Sequence, residues 1–288
     1  MFTSLIKESL KKTNPDYFKE IYNYGNDKNN KKTKNFCFSI FMKNYKLSSD
    51  VFEVNNLVKF YLSSPDMDFV INLYNGLLNL GDFDYKSFKL SLKKIFLLPD
   101  EKITKGMILF KTMSPILIVD KNKHFISPYS DEFPKELNYI LDLEIRNASS
   151  QGLKKEVEFQ PVEMKKTIVK LEITDFKNQT GKQFMFLEAY KGSFKLTGDP
   201  DDLKSIYDLG IGFRRNQGFG MIGVIWLKYK VYLNEWFYNI GIIGFMKIFH
   251  NYGADDKIEI FSDHIEFDKE ALTNFEEMYI EFFKKKYY

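Results

Sequence analysis

The sequence of 288 residues contains one cysteine, Cys37, set inside an apolar run. A single thiol excludes a disulfide scaffold and a cysteine-ligated zinc site. Histidine is almost as scarce: His124, His250 and His264 stand far apart, with no spacing that would place two of them on one helix face. No metal site and no cofactor are expected. Long apolar runs are lacking too. Trp236–Phe249, 14 residues interrupted by Lys247, is the longest, and a membrane span needs about 20. The N-terminus reads as an amphipathic helix and has no secretory pattern. The expectation is a cytoplasmic protein with no membrane partner.

What is present supports folded domains. At 44% hydrophobic residues the chain can bury real cores, and its length suits two domains of ordinary size. It is skewed toward Lys, Asn, Ile, Phe and Tyr, as low-GC coding sequences are, so its many lysines and aromatics say little about function. The charge is informative in its placement. Residues 228–288 hold 8 basic and 11 acidic side chains, and residues 1–227 hold the remaining 34 and 28. A basic body of this kind suits a phosphate-backbone partner, or is a solvated surface of uneven charge.

Apolar spacing gives the elements. Phe2, Leu5, Ile6 and Leu10 mark a helix. Asn14-Pro15-Asp16 restarts it, with Asn as cap and Pro in the first turn. Phe36, Phe38, Ile40 and Met42 alternate as a strand, and Val58–Leu62 is a second. Ser64-Pro65-Asp66 opens a helix striped by Phe69, Val70, Leu73, Tyr74, Leu77 and Leu78 and closed by Gly81. Phe88, Leu90 and Leu92 begin a strand that runs to about Leu98. With one strand added in front, the order becomes βαββαβ, the ferredoxin-like (RRM-like) unit. The pattern then repeats: a strand over Met107–Val119 interrupted by Ser114-Pro115, a helix over Glu132–Asn147, and strands over Met164–Thr174 and Gln183–Leu196 with a turn at Lys177–Gly181. A helix started by Asp199-Pro200-Asp201 and a last strand, Phe219–Trp226, complete it. The expected fold class is α+β. Residues 1–104 form a first ferredoxin-like domain lacking its first strand, 105–227 a second, and 228–288 an extension.

Between the last helix and last strand lies LGIGFRRNQGFGMI, Leu209–Ile222. Gly210, Gly212, Gly218 and Gly220 permit positive φ and close backbone approach. Successive amides in such a loop suit phosphate oxygens, and Arg214 and Arg215 add charge and planar forks. Phe213 and Phe219 suit stacking on bases, worth about 1–3 kcal/mol each. The string is neither a GxGxxG dinucleotide fingerprint nor a Walker loop. By itself it also fits a tight helix-to-strand turn.

This string resembles the C-terminal signature of the CRISPR-associated repeat-processing endoribonucleases of the RAMP superfamily. SLIKESLKKTNPDYFKEIY is similar to that family's first helix and its continuation, FCFSIFM to its second strand, LYNGLL to the end of its second helix, and FKTMSPILIV to the strand opening its second domain. The likeness spans about residues 3–226 in order. It implies metal-independent cleavage of CRISPR precursor RNA within repeats, by attack of a 2′-hydroxyl on the adjacent phosphorus, leaving 2′,3′-cyclic phosphate and 5′-hydroxyl ends. Such a reaction needs an acid, a base and a cation for the developing charge. Where members often carry a histidine, at the end of the first helix, this chain reads Glu20-Ile21-Tyr22-Asn23-Tyr24. Tyr22 is the nearest match. An unperturbed tyrosine titrates near ~10, which suits a proton donor or a phosphate-orienting group better than a base. Lys7 falls where some members have a catalytic tyrosine, and Lys34 where a lysine stabilises the pentavalent phosphate.

The resemblance therefore implies Lys7, Tyr22 and Lys34 as the catalytic set and the glycine loop as the RNA-binding element, with repeat RNA as partner. Further subunits of a type I interference complex and a homodimer are left open. VYLNEWFYNIGIIGFMKIF is similar to the opening of a type I interference-complex large subunit, so 228–288 reads as a fusion remnant or as a helical tail. The alternative function is a non-catalytic RNA-binding subunit of the same RAMP type.

Overall fold

The structure is a computed structural model, and it describes residues 1–22, 34–48, 51–54, 57–172, 181–225, 228–232, 258–260 and 264–268. Tyr24, the expected turn at 177–180, the Trp236–Phe249 segment and His250 lie outside them. Residues 1–224 form one compact unit and 225–288 another. The two expected ferredoxin-like halves thus lie together in the first unit as far as Val224.

The unit opens with helices α1 (Phe2–Thr13) and α2 (Pro15–Tyr22). α1 buries Leu5, Ile6, Ser9 and Leu10, one stripe at helical spacing. Asn14 caps α2 as its sequence suggests, its Oδ1 accepting from the Tyr17 amide at 3.0 Å. Strands β1 (Cys37–Met42) and β4 (Val58–Ser63) pair antiparallel. Between them β2 (Tyr45–Ser48) and β3 (Val51–Val54) form a hairpin that the apolar spacing does not announce. Helix α3 (Met67–Leu80) starts at Asp66, whose carboxylate accepts from the Phe69 amide at 3.0 Å, and stops at Gly81 with φ 64°. Gly76 lets α1 cross α3 closely: a Cβ there would lie 2.2 Å from the Ser9 carbonyl oxygen. Ile6, Leu10, Phe36, Phe38, Phe69 and Leu73 make the core of this half.

The expected strand from Phe88 to Leu98 is corrected. It ends at Ser91 as β6 (Phe88–Ser91) and pairs with β5 (Asp82–Tyr85) in a hairpin of its own. Among the described residues the first sheet is therefore β1 and β4 alone. Phe96, Leu97 and Leu98 are exposed, with no sheet to bury them.

The second half runs β7 (Met107–Thr112), α4 (Phe133–Ser149), β8 (Glu158–Leu171), β9 (Met185–Thr197), α5 (Pro200–Leu209) and β10 (Ile222–Val224). The sheet order is β10-β7-β9-β8, all antiparallel. Asp199 caps α5, accepting from the Asp201 and Asp202 amides. β8 begins six residues before the expected Met164. Pro161 conceals that beginning in the sequence, yet it sits in the strand at a bulge between Pro161 and Glu163, one of the few places a sheet accepts proline. Phe110, Phe133, Leu137, Leu141, Phe194, Leu196, Leu203 and Ile206 fill the core between this sheet and its two helices.

Among the described residues of 225–288 there are three strands, β11 (Lys228–Tyr232), β12 (Ile258–Ile260) and β13 (His264–Asp268), in a sheet ordered β11-β13-β12.

Candidate functional site

The three expected catalytic residues come together. Tyr22 ends α2 and stacks on Phe18, one turn back, at 5.0 Å between ring centroids. Phe18 and Tyr22 both pack against the core formed by Ile6, Leu10, Phe36 and Phe38, which fixes where the tyrosine ring lies. Lys7, on the exposed side of α1, brings its Nζ to 5.3 Å from the Tyr22 ring centroid. Lys34, two residues before the buried Phe36, brings its Nζ to 4.7 Å. Both distances are within cation–π reach. Two ammonium groups gathered at one ring make a small cationic site with a phenol at its centre. A dianionic pentavalent phosphate is a group that such a site would stabilise.

The packing behind this arrangement is specific. α1 is set by its close crossing with α3 at Gly76, and Lys34 by the entry into β1, where Ser64 Oγ donates to the Asn35 carbonyl at 2.6 Å. Nearby, Tyr17 bonds Asp66 at 3.1 Å, and burial, with the Asp66 charge adding to it, raises its phenol far above the ordinary tyrosine range. Tyr17 is thus a structural phenol that ties α2 to the start of α3.

The glycine loop is built differently from expectation. Arg215 points inward. Its Nε donates to Glu144 Oε1 of α4 at 2.7 Å, with the two side chains 3% and 5% exposed. Its Nη1 donates to the Leu209 carbonyl at 2.6 Å, closing the end of α5. Burial pushes the Glu144 carboxyl above its usual range, while Arg215 and the Gly212 amide pull it back. Phe219 is 2% exposed and packs with Leu117, Leu187 and Ala189 beneath the loop. Arg215 and Phe219 are therefore corrected as RNA contacts, because both are sealed inside the protein.

The loop amides are used internally as well. Gly210 N donates to Ile206 O, Ile211 N to Gly220 O, Phe213 N to Leu117 O and Gly220 N to Pro115 O, each at 2.8 Å. This replaces the expected anion-receiving array with a clasp onto the 115–117 segment. The glycines serve close approach. A Cβ on Gly212 would lie 2.6 Å from the Leu117 carbonyl oxygen, and one on Gly220 2.1 Å from that of Ile211. Gly210 and Gly218 abut Cys37 and Phe38 of β1, so the loop also joins the two halves. Ser39 Oγ adds a bond to the Met113 carbonyl at 2.5 Å.

Of the arginines and phenylalanines expected to meet RNA, Phe213 and Arg214 remain outward. Phe213 is 39% exposed. Arg214, with φ 61°, holds Gln217 Oε1 at 2.7 Å.

Glu144 is the residue that sequence reasoning misses. Its signal is its place in the apolar stripe of Leu137, Ile140, Leu141 and Ile145, where a carboxylate needs a buried partner. His124 is exposed and bonds Asp120 through Nδ1 at 3.0 Å within one turn. Among the described residues no three His, Cys, Asp or Glu side chains gather as a metal-ligand set, and no helix is long and apolar enough to cross a membrane.

Residues 98–224 match the family described as CRISPR associated protein Cas6, C-terminal. The match ends with β10 and takes in the glycine loop whole. Over these residues the chain is similar to the C-terminal part of Cas6 proteins. It is 27% identical over 225 residues to the CRISPR-associated endoribonuclease Cas6 1 of Methanocaldococcus jannaschii, covering 76% of this chain and 82% of that relative. Among solved structures, a protein of a Cas6-related gene from Pyrococcus furiosus superposes with a TM-score of 0.64 at 18% identity, over 77% of this chain and 88% of that one. A second, described as a RAMP protein binding different RNA substrates, gives 0.63 at 18% identity over 78% and 90%. These likenesses support the mixed α+β fold. The family match stops at residue 224, ahead of the 225–288 unit.

Proposed function

We propose that this chain is an endoribonuclease that cleaves CRISPR precursor RNA within its repeats, without a metal ion, at a site formed by Lys7, Tyr22 and Lys34. The observation that carries the proposal is the convergence of both lysines on the Tyr22 ring, at 5.3 and 4.7 Å, in a chain with 27% identity to a Cas6 endoribonuclease. In the reaction the 2′-oxygen bonds to the adjacent phosphorus, the phosphorus–O5′ bond breaks, and the proton lost by the 2′-hydroxyl is matched by one gained at O5′. Lys7 and Lys34 hold the charge that builds on the non-bridging oxygens. Tyr22, its hydroxyl buried, uses its ring to hold the two ammonium groups at the scissile phosphate.

The fold reading behind this proposal is two ferredoxin-like units, 1–104 and 105–227. The order β10-β7-β9-β8 with α4 and α5 supports the second. Repeat RNA is the partner; we place the protein in the cytoplasm, with interference-complex subunits and a homodimer as further candidate partners. Phe213 and Arg214, with the glycines that shape them, are the part of the loop offered to RNA.

Labelled repeat RNA incubated with the protein in EDTA tests the mechanism. Cleavage to a cyclic phosphate end is expected, with Lys34→Ala slowed at least ~10²-fold, the range for removing one group that stabilises the transition state. A requirement for added metal, or full activity of Lys34→Ala, overturns the assignment. The second reading, a non-catalytic RNA-binding subunit, is favoured by the tyrosine at the position of the family's histidine. Tight binding without product would establish it.

A further inference from the structure

We infer that the outward face of the second sheet, around Lys111, Lys165 and Lys191, is a separate contact surface for the phosphodiester backbone of single-stranded RNA; this rests on the proposed function.

The alternation of β7 and β9 turns Phe110, Phe194 and Leu196 into the core, and so turns Lys111, Lys191 and Ser193 to the opposite face. In register, Lys111 stands across from Ser193, Ser193 from Glu163, and Lys191 from Lys165. Three lysines on three adjacent strands thus share one face with one carboxylate. An open groove of about 380 Å³ lies among them, lined also by Thr112, Gly192 and Ser193.

Three features set this groove apart from an ordinary solvated surface. Lys165 and Lys191 are directly opposed like charges, an arrangement that weakens a sheet. Glu163 engages Lys165 at 2.7 Å, while Lys111 and Lys191 make no ion pair among the described residues. The groove owes its shape to the bulge at Pro161/Glu163 and to Gly192, whose φ of 150° lets its backbone approach where a Cβ would meet the Glu163 carbonyl oxygen at 1.7 Å. The Gly192 amide is fixed by Thr112 Oγ1 at 3.0 Å, so the concavity is rigid. A rigid groove with excess positive charge, hydroxyls at its floor and no aromatic platform fits a sugar-phosphate chain and does not select bases.

The test is the salt dependence of binding of fluorescently labelled repeat RNA, measured by anisotropy on the full chain. Removing one lysine–phosphate interaction lowers the slope of log affinity against log salt by ~0.7 for a single strand. Lys111→Gln and Lys191→Gln should each lower it by about that amount, and the double variant by about twice that. Lys191→Arg should keep the wild-type slope. Melting temperatures of Lys191→Gln at or above wild type are expected, since the like-charge pair is relieved. A double variant that keeps the full slope while wild type binds overturns this inference alone and leaves the face to another partner. A wild type that does not bind the RNA overturns the functional proposal with it.

Discussion

Replacing Arg215 should damage the fold and leave the RNA contacts of the loop largely intact. The side chain is sealed against Glu144 at 2.7 Å and the Leu209 carbonyl at 2.6 Å. Arg215→Met leaves Glu144 buried without its cation, and Glu144→Ala leaves the guanidinium without its anion. Breaking one side of a buried pair costs about 3–5 kcal/mol. A unit of this size shifts by ~2–4 °C per kcal/mol, so each single variant should melt roughly 6–20 °C below wild type. The double variant Arg215→Met/Glu144→Leu removes both charges and should recover most of the loss, because replacing a complete buried pair by apolar groups is close to neutral. Circular dichroism melts of the four proteins form a double-mutant cycle. Single variants within 2 °C of wild type, or a double variant as unstable as the sum of the singles, would refute the reasoning. The same proteins separate the two arginines. Below its melting point Arg215→Met should retain the wild-type salt slope for RNA, whereas Arg214→Gln should lower the slope by ~0.7 with an unchanged melting temperature.

Gly220→Ala and Gly81→Ala both place a side chain at positive φ, which costs ~1–2 kcal/mol. Gly81 faces open space while Gly220 faces the Ile211 carbonyl, so chemical denaturation should show Gly220→Ala clearly the less stable, and equal losses would contradict the clasp. Burial pushes the Cys37 thiol up to about 12. A thiol reagent at pH 8 should label Cys37 only in denaturant, and fast labelling of the native protein would show that β1 opens.

Much of the fold is legible because it is locally encoded. Asn14, Asp66 and Asp199 cap helices where the sequence places them, and the stripes of α1, α3 and α4 name the faces they bury. The hairpin β2–β3 is not legible, since Leu47 and Phe52 are exposed and no core imposes a period on it. Phe88–Ser91 reads as a strand, but its partner depends on which edge lies nearby. It closes on Asp82–Tyr85 and never reaches β1–β4. Pro161 hides the first half-dozen residues of β8, because a bulge tolerates what a regular ladder refuses.

The site divides along the same line. The sequence by itself determined that Leu209–Ile222 is a glycine-built loop between a helix and a strand, and its family resemblance pointed to Lys7, Tyr22 and Lys34 as the groups proposed for the chemistry. Side-chain direction in that loop follows no period. Only the tertiary structure decided that Arg215 and Phe219 turn inward, that the loop amides clasp residues 115–117, and that Phe213 and Arg214 face out. It was also tertiary packing that brought Lys7 and Lys34, 27 positions apart in sequence, onto one tyrosine ring. That meeting exists because α1 is held by its close crossing with α3 and Lys34 by the entry to β1, long-range contacts that no local pattern encodes.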